Sequence, residues 1–416
     1  MRITLHTLGT RGDMQPFLAL SVGLKRRGHD VLMVAPAQFE EAAAAEGVDL
    51  HPMPRAFLDL VDSPEAKAML GGKGRGLKAG MVLMKEYKRL SPGLFNAEWK
   101  AARAFRPDGI LHHAKALGAP HIAEKLGVPL MLASPLPGFT PTSAFPSPLV
   151  PVTSLGPFNR VSHSLTTYGG AASFRGTLRK WREDVLGLPS RGSGAPLQGT
   201  LYGYSHHVLP KPPDWGEDVA VTGYWFLEAP EWEPDAALAA FLKAGEAPIY
   251  VGFGSMPGQD ARSLTSMVVE GLRQAGKRGL IASGGGALDA SVSAAHIHHL
   301  DSAPHDRLFP LMHATMHHGG AGTTGAAVRA GKPTAILPFF GDQPFWANRM
   351  VELGVGPKPL DKKRLSAEAF ADAFRGMDGA GMRERAARLG AAIREEDGVA
   401  QAADFIEQRV RAGRSH

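Results

Sequence analysis

The sequence predicts an α/β protein built from two doubly wound, Rossmann-like domains facing a common cleft. Three observations carry that reading. Strand and helix patterns alternate in both halves of the chain, which implies parallel sheets covered by helices on both faces. The 416 residues are too many for one ordinary domain and suit two. A glycine-rich turn, Gly319 to Thr324, follows a short apolar run and opens a helix, as ligand-binding turns do at strand carboxyl ends.

Arg2 to Leu8 alternates and reads as the first strand. Gly9-Thr10-Arg11-Gly12-Asp13 is a turn, and Pro16 marks a helix start. Phe17, Leu20 and Leu24 stand at helical spacing, and Gly28 is the stop. Val31 to Ala35 and Val48 to Met53 are further strands around a short helix, Phe39 to Glu46. Glu65 to Arg89 is rich in Lys, Arg and Met. It reads either as a solvated helical insert with one buried face or as a mobile, basic flap touching a lipid surface or an apolar ligand. Gly109 to His112 and Leu130 to Ser134 are strands. Pro135 to Leu155 is a long aperiodic loop, in which Phe139 and Phe145, with Phe158 beyond it, supply apolar walls.

The proline-rich segment 209–217 is the expected linker. It divides a first domain, 1–208, from a second, 218–396. Asp218 to Thr222 is expected to lead into the second domain. Strands follow at Ile249 to Phe253, Gly279 to Ala282, Ile297 to Leu300, Ala314 to Met316 and Thr334 to Leu337. Val399, Ala402, Ile406 and Val410 mark an amphipathic helix within 397–416, expected to pack back on the first domain.

Composition narrows the function. Hydrophobic residues make up 44 % and charged residues 21 %, as in soluble globular proteins, and no apolar run approaches the length that spans a bilayer. Cysteine is absent, which excludes disulfides and thiolate metal sites and suits a reducing cytoplasm. The N-terminal residues read as a strand rather than a secretion signal. A net charge of +6 suits an anionic ligand or an anionic membrane surface. No nucleic-acid motif is present, so no nucleic-acid partner is expected.

The turn after Met316 has the parts of a phosphate site: His317 and His318, then glycines whose amides a ligand can approach, then a helix N-terminus. It is neither the dinucleotide fingerprint nor a P-loop. Gly252 to Met256, Ser302 to Asp306 and Gly9 to Asp13 sit at other strand ends. Asp13 is the only carboxylate of its turn and is also placed to cap the following helix. His112-His113, His206-His207 and His298-His299 are adjacent pairs; on strands they point to opposite faces and chelate poorly. Asp-x-Asp is absent, so the expectation is no metal, with diphosphate charge met by amides, helix dipoles, His and Arg.

GTRGDMQPFLAL, VGFGSM and SAPHDRLFP…HHGGAGTTGAAVRAGKPTAILPFFGDQPFWANR, in that order, resemble the nucleotide-sugar glycosyltransferases of the GT-B fold. The sterol 3-beta-glucosyltransferase type is the nearest group, with glycopeptide-antibiotic glycosyltransferases a neighbouring branch. The resemblance implies that the first domain binds the acceptor and the second the nucleotide sugar. It implies that Ser255, His317 and amides of Gly320, Ala321, Gly322 and Thr323 contact the diphosphate. Asp342 and Gln343 would bind sugar hydroxyls, and the backbone near Ala303 the base. Asp13 would be the general base, with Arg11 and Gly12 near the phosphates. Phe139, Phe145 and Met81 would line the acceptor site. Two positions depart from related patterns: Arg307 stands where sterol-type members often carry Trp, and Arg11 where other branches carry a histidine base.

The resulting expectation is an inverting, metal-independent transferase moving glucose from UDP-glucose to a hydroxyl of an apolar acceptor such as a sterol or other lipid aglycone. It needs no cofactor beyond the UDP-sugar. It is expected in the cytoplasm, with peripheral contact at the inner face of a membrane. The alternatives are a natural-product glycosyltransferase using a UDP- or dTDP-sugar and a nucleotide-sugar epimerase.

Overall fold

The computed structural model describes residues 1–61, 63, 76–228, 231–256 and 260–413 and contains two parallel sheets. The first has seven strands in the order β3-β2-β1-β4-β5-β6-β7. These are β1 Arg2–His6, β2 Asp30–Pro36, β3 Asp49–Met53, β4 Gly109–His112, β5 Leu130–Ser134, β6 Leu197–Tyr202 and β7 Val219–Val221. The second has five in the order β10-β9-β8-β11-β12, namely β8 Ile249–Gly252, β9 Gly279–Ala282, β10 Ile297–Leu300, β11 Ala314–His317 and β12 Thr334–Ile336. Each strand order reverses once, between β1 and β4 and between β8 and β11. Ligands of doubly wound sheets bind at such reversals, outside the strand carboxyl ends.

The central strands β1, β4 and β5 are apolar runs buried on both faces, as parallel strands under two helix layers must be. The first helix, Arg11–Arg26, lays Phe17, Leu20 and Leu24 into this core. It begins at Arg11 rather than at Pro16. The Asp13 carboxylate accepts a hydrogen bond from the Thr10 amide at 3.0 Å, so the helix is capped at Thr10 and starts five residues before the expected start.

Strand β7 exists, but it does not lead into the second domain. It pairs in parallel with β6 at the edge of the first sheet, Thr200 opposite Val219. Segment 209–217 therefore links two strands of one sheet. Its Trp215 is buried and stacks on Tyr202 at 4.9 Å, so apolar burial outweighs the flexibility its prolines suggest. Of the Glu65 to Arg89 segment, residues 65–75 lie outside the described residues. The rest belongs to one long helix, Gly76–Phe105.

The last helix, Gly398–Gly413, packs on the first domain. It buries Ala402, Ala403, Ile406 and Val410 in the same core as Phe17 and Leu20. Burying Ile406 and Val410 contributes about 1.5–3 kcal/mol each. Arg27 reaches Asp404 at 2.6 Å and Glu407 at 3.1 Å from the first helix. A shared aromatic cluster joins the two domains: Tyr204 meets Trp346 edge-on at 6.1 Å, and Phe145 lies 5.6 Å from Phe345.

Candidate active site

The first-domain half of the site is made where β1 and β4 separate. Gly9 has φ +142°, and a Cβ there would collide with the Asp13 carboxylate. A glycine is what lets Asp13 fold back over the end of β1. Lys115, three residues past β4, places Nζ 2.8 Å from both Asp13 oxygens. His113 Nδ1 accepts the Lys115 amide hydrogen at 3.3 Å, which leaves the ring proton on Nε2, 3.5 Å from Asp13 Oδ1. Burial pushes the Asp13 carboxyl up, but the charges of Lys115 and His113 and the Lys115 hydrogen bond outweigh it and hold it below the ordinary value. Burial also lowers His113 to about 4, so the ring is neutral near pH 7.

The second-domain half forms where β8 and β11 separate. Gly319 has φ +93°, and a Cβ on it would lie 2.7 Å from Ile336 Cγ2. Gly320 then caps the helix Ala321–Arg329 without any side-chain partner, so its first amides and positive end are open to a ligand. His317 is fully buried. Its Nδ1 accepts the Gly319 amide hydrogen at 3.0 Å, which puts the proton on Nε2. That Nε2 has no partner among the described residues, nor have His318 Nδ1 and Thr324 Oγ1 of the same segment. Burial holds His317 well below its ordinary value and His318 at about 4. Both are neutral near pH 7, and a buried donor without a partner costs about 1–3 kcal/mol until a ligand supplies the acceptor.

The halves face one another. Asp342 is raised to about 6, mainly by burial and in part by the negative charge of Asp13, so the two carboxylates share one cleft. Asp342 Oδ2 accepts a hydrogen bond from Trp346 Nε1 at 2.9 Å. His305 is lowered to about 4 by burial and then by the positive charge of Arg11, which pairs the two domains a second time. His305 stacks on Phe309 at 4.4 Å, beside the half-buried Ala303.

The structure brings Arg11, Gly12 and Asp13 to one strand end, and His317 with Gly320, Ala321, Gly322 and Thr323 to the opposing one. Ser255 is exposed after β8, next to Gly254 with φ +60°. Gln343 differs from the expected pairing with Asp342. It is buried, and its Oε1 accepts the Phe339 and Phe340 amides at 2.7 and 3.2 Å. Two free loop amides outcompete a ligand for that oxygen, so only its NH2 end, 3.4 Å from Met256 Sδ, has capacity left.

Phe139 stands edge-on to His113 at 6.4 Å, beside the Asp13 group. Phe145 instead joins the two domains, between Trp215 and Phe345. Met81 is 65 % exposed on the outer helix and Phe158 66 % exposed, so neither is a wall of the cleft in this state.

His206 and His207 occupy a turn rather than a strand. With Glu396 their ligand atoms lie within 4.8 Å of one another, the one group of this kind among the described residues. It is built from none of the cleft residues. Sequence reasoning missed Lys115 and His113. The signal was present: both follow β4, the strand flanking β1 at the reversal. It also missed Gly284-Gly285-Gly286 after β9, where a Gly285 side chain would run into Gly254.

Two separate sheets, each with a reversal opening onto the shared cleft, define the GT-B class of fold. The profile described as the glycosyltransferase family 28 N-terminal domain matches residues 3–146, and that of the erythromycin biosynthesis protein CIII-like C-terminal domain matches 289–401. A sterol 3-beta-glucosyltransferase of Arabidopsis thaliana is 34 % identical over 414 residues, 97 % of this chain and 64 % of its own length. A second one from the same plant is 33 % identical, covering 99 % of this chain and 68 % of its own. The chain thus spans about two thirds of these plant relatives. The glycotransferase of kitacinnamycin superposes with a TM-score of 0.74 over 98 % of this chain and 99 % of its own, at 19 % identity. The chain belongs to the sterol 3-beta-glucosyltransferase family.

Proposed function

We propose that this chain transfers glucose from UDP-glucose to the hydroxyl of a sterol or a similarly apolar lipid, with inversion at the anomeric carbon. One observation carries the reading. A carboxylate held ionised on one wall of the cleft opposes a helix N-terminus and an unpartnered histidine donor on the other. The sterol 3-beta-glucosyltransferase relatives supply the sugar and the acceptor class.

In this mechanism the acceptor hydroxyl lies against Asp13, which takes its proton as the oxygen attacks the anomeric carbon. Lys115 contacts both Asp13 oxygens, so the hydroxyl has to displace or share one of those contacts. The bond to the diphosphate breaks on the far side of the sugar. The departing charge is taken up by the amides of Gly320 to Thr323, the helix dipole and the His317 Nε2 proton, all fixed before the reaction begins. Asp342 accepts from sugar hydroxyls, and the Gln343 NH2 assists while its carbonyl keeps the loop in place. The backbone near Ala303 meets the base, and Phe139 flanks the acceptor beside His113. No metal enters these steps, and an apolar acceptor of this kind is met at a membrane surface.

The test is incubation with UDP-glucose and a panel of sterols, flavonoids and macrolides, with and without EDTA, read by mass. Addition of one hexose to sterols in EDTA supports the proposal. Transfer only to macrolides or from dTDP-sugars favours the natural-product reading. Conversion of UDP-glucose without acceptor favours epimerisation, and loss of transfer in EDTA restored by Mg²⁺ contradicts the metal-free step.

A further inference from the structure

The helix Asn159–Ala172 is inside out. Its polar residues face the protein: Asn159, Ser162 and His163 are buried, and they bond the loop that follows β5. Ser162 Oγ accepts the Ser147 amide at 2.8 Å, and His163 Nε2 pairs with the Phe145 carbonyl at 3.0 Å. Asn159 Nδ2 donates to the Ser143 carbonyl at 3.0 Å. Its apolar residues face out, with Phe158, Val161 and Leu165 at 66, 50 and 70 % exposure on one side, at helical spacing. Leu149, Val152 and Leu155 extend this exposed surface along the preceding loop. Large exposed apolar groups so close together mark an interaction surface rather than ordinary solvent exposure.

The charge around this surface identifies its partner. Between Glu124 and Glu183 the sequence contains no Asp or Glu at all, while Arg160, Arg175, Arg179 and Lys180 are exposed there. The long helix Gly76–Phe105 packs just beyond the end of this helix through Tyr87, whose ring meets the buried Phe174 at 4.8 Å. It adds exposed Met81, Val82 and Met84 together with Lys85. An apolar face fringed mainly by cations, with few acids near it, complements an interface of acyl chains and anionic headgroups. Arg160 pairs with an acidic neighbour, Asp214 at 3.5 Å.

We infer that Phe158, Val161 and Leu165, with the basic residues beside them, seat the first domain on an anionic lipid bilayer. This deepens the lipid-acceptor reading by naming the surface, but the geometry holds for any acceptor. Among the described residues no helix is long and apolar enough to cross a membrane, and the contact proposed is one of lying on the surface.

The experiment is flotation of the purified full chain with vesicles of phosphatidylcholine alone or containing phosphatidylglycerol, at low and high salt. Val161→Ser/Leu165→Ser and Arg175→Glu/Arg179→Glu variants are compared, with UDP binding as the check on folding. The expected result is partitioning onto anionic vesicles at least about tenfold stronger than onto neutral ones, weakened by salt and reduced about tenfold or more in each variant. Equal binding by the Val161→Ser/Leu165→Ser protein overturns the assignment. So does wild-type protein that stays off vesicles but forms a dimer this variant abolishes, which would make the face a protein interface. Loss of hexose transfer with vesicle binding intact would sink only the acceptor reading.

Discussion

Lys115 Nζ lies 2.8 Å from each carboxylate oxygen of Asp13, so the candidate base begins its cycle as half of an ion pair. Lys115, with His113, holds the Asp13 carboxyl below its ordinary value against the upward push of burial. Transfer that needs the ionised carboxylate is then present above that lowered value and lost as pH falls through it. Lys115→Met removes the cation, leaves the push of burial, and moves the acid limb of kcat/KM to higher pH. An unmoved limb would separate that limb from Asp13.

Asp342 titrates in the opposite sense. Its carboxyl is raised to about 6, so in the proposed role it would accept sugar hydroxyls as a carboxylate only above that pH. KM for UDP-glucose should fall as pH rises through about 6 in the wild type, and Asp342→Asn should show a raised KM with no such step. Initial rates from pH 5 to 8 test this, and a step that survives in the variant assigns it elsewhere.

His317 offers a buried Nε2 proton that no described residue uses. As a donor to the leaving diphosphate it is worth about 100-fold to 1000-fold in kcat. His317→Ala should lose that much in single-turnover assays with saturating UDP-glucose. A kcat within a factor of about three of wild type would leave the helix amides as the sole support for the diphosphate.

The glycines of the same turn are not equivalent. Gly319 has φ +93° and Ile336 against it, so Gly319→Ala should cost about 1–3 kcal/mol of stability. A side chain on Gly322 meets open space within the helix, and Gly322→Ala should leave stability unchanged or raise it by about 0.5–1 kcal/mol. Thermal or urea unfolding of the two variants checks the order, and the reverse order contradicts the local geometry.

Much of the fold is legible in the sequence because most parallel strands are short runs of mainly apolar residues bounded by turn residues. The Ile249, Gly279, Ile297, Ala314 and Thr334 strands all form where that pattern puts them. The candidate phosphate site is legible too, since His317 to Thr323 is one continuous stretch from the end of β11 into the next helix. What escapes is pairing at a distance. Nothing local says that Val219–Val221 joins β6, because its partner lies across a loop closed by buried Trp215. Lys115 meets Asp13 only because β1 and β4 are neighbours in the sheet, 102 residues apart in sequence. Gln343 reads as a ligand partner until two backbone amides are seen to hold its carbonyl.

The account rests on Asp13 as the base, and turnover of Asp13→Asn measured together with UDP affinity tests it most directly. Removing general-base work should lower kcat by about 100-fold or more. UDP affinity should stay near wild type, because the proposed diphosphate site, His317 and the helix beginning at Ala321, is untouched. Turnover at the wild-type rate from the Asp13→Asn protein would contradict the account.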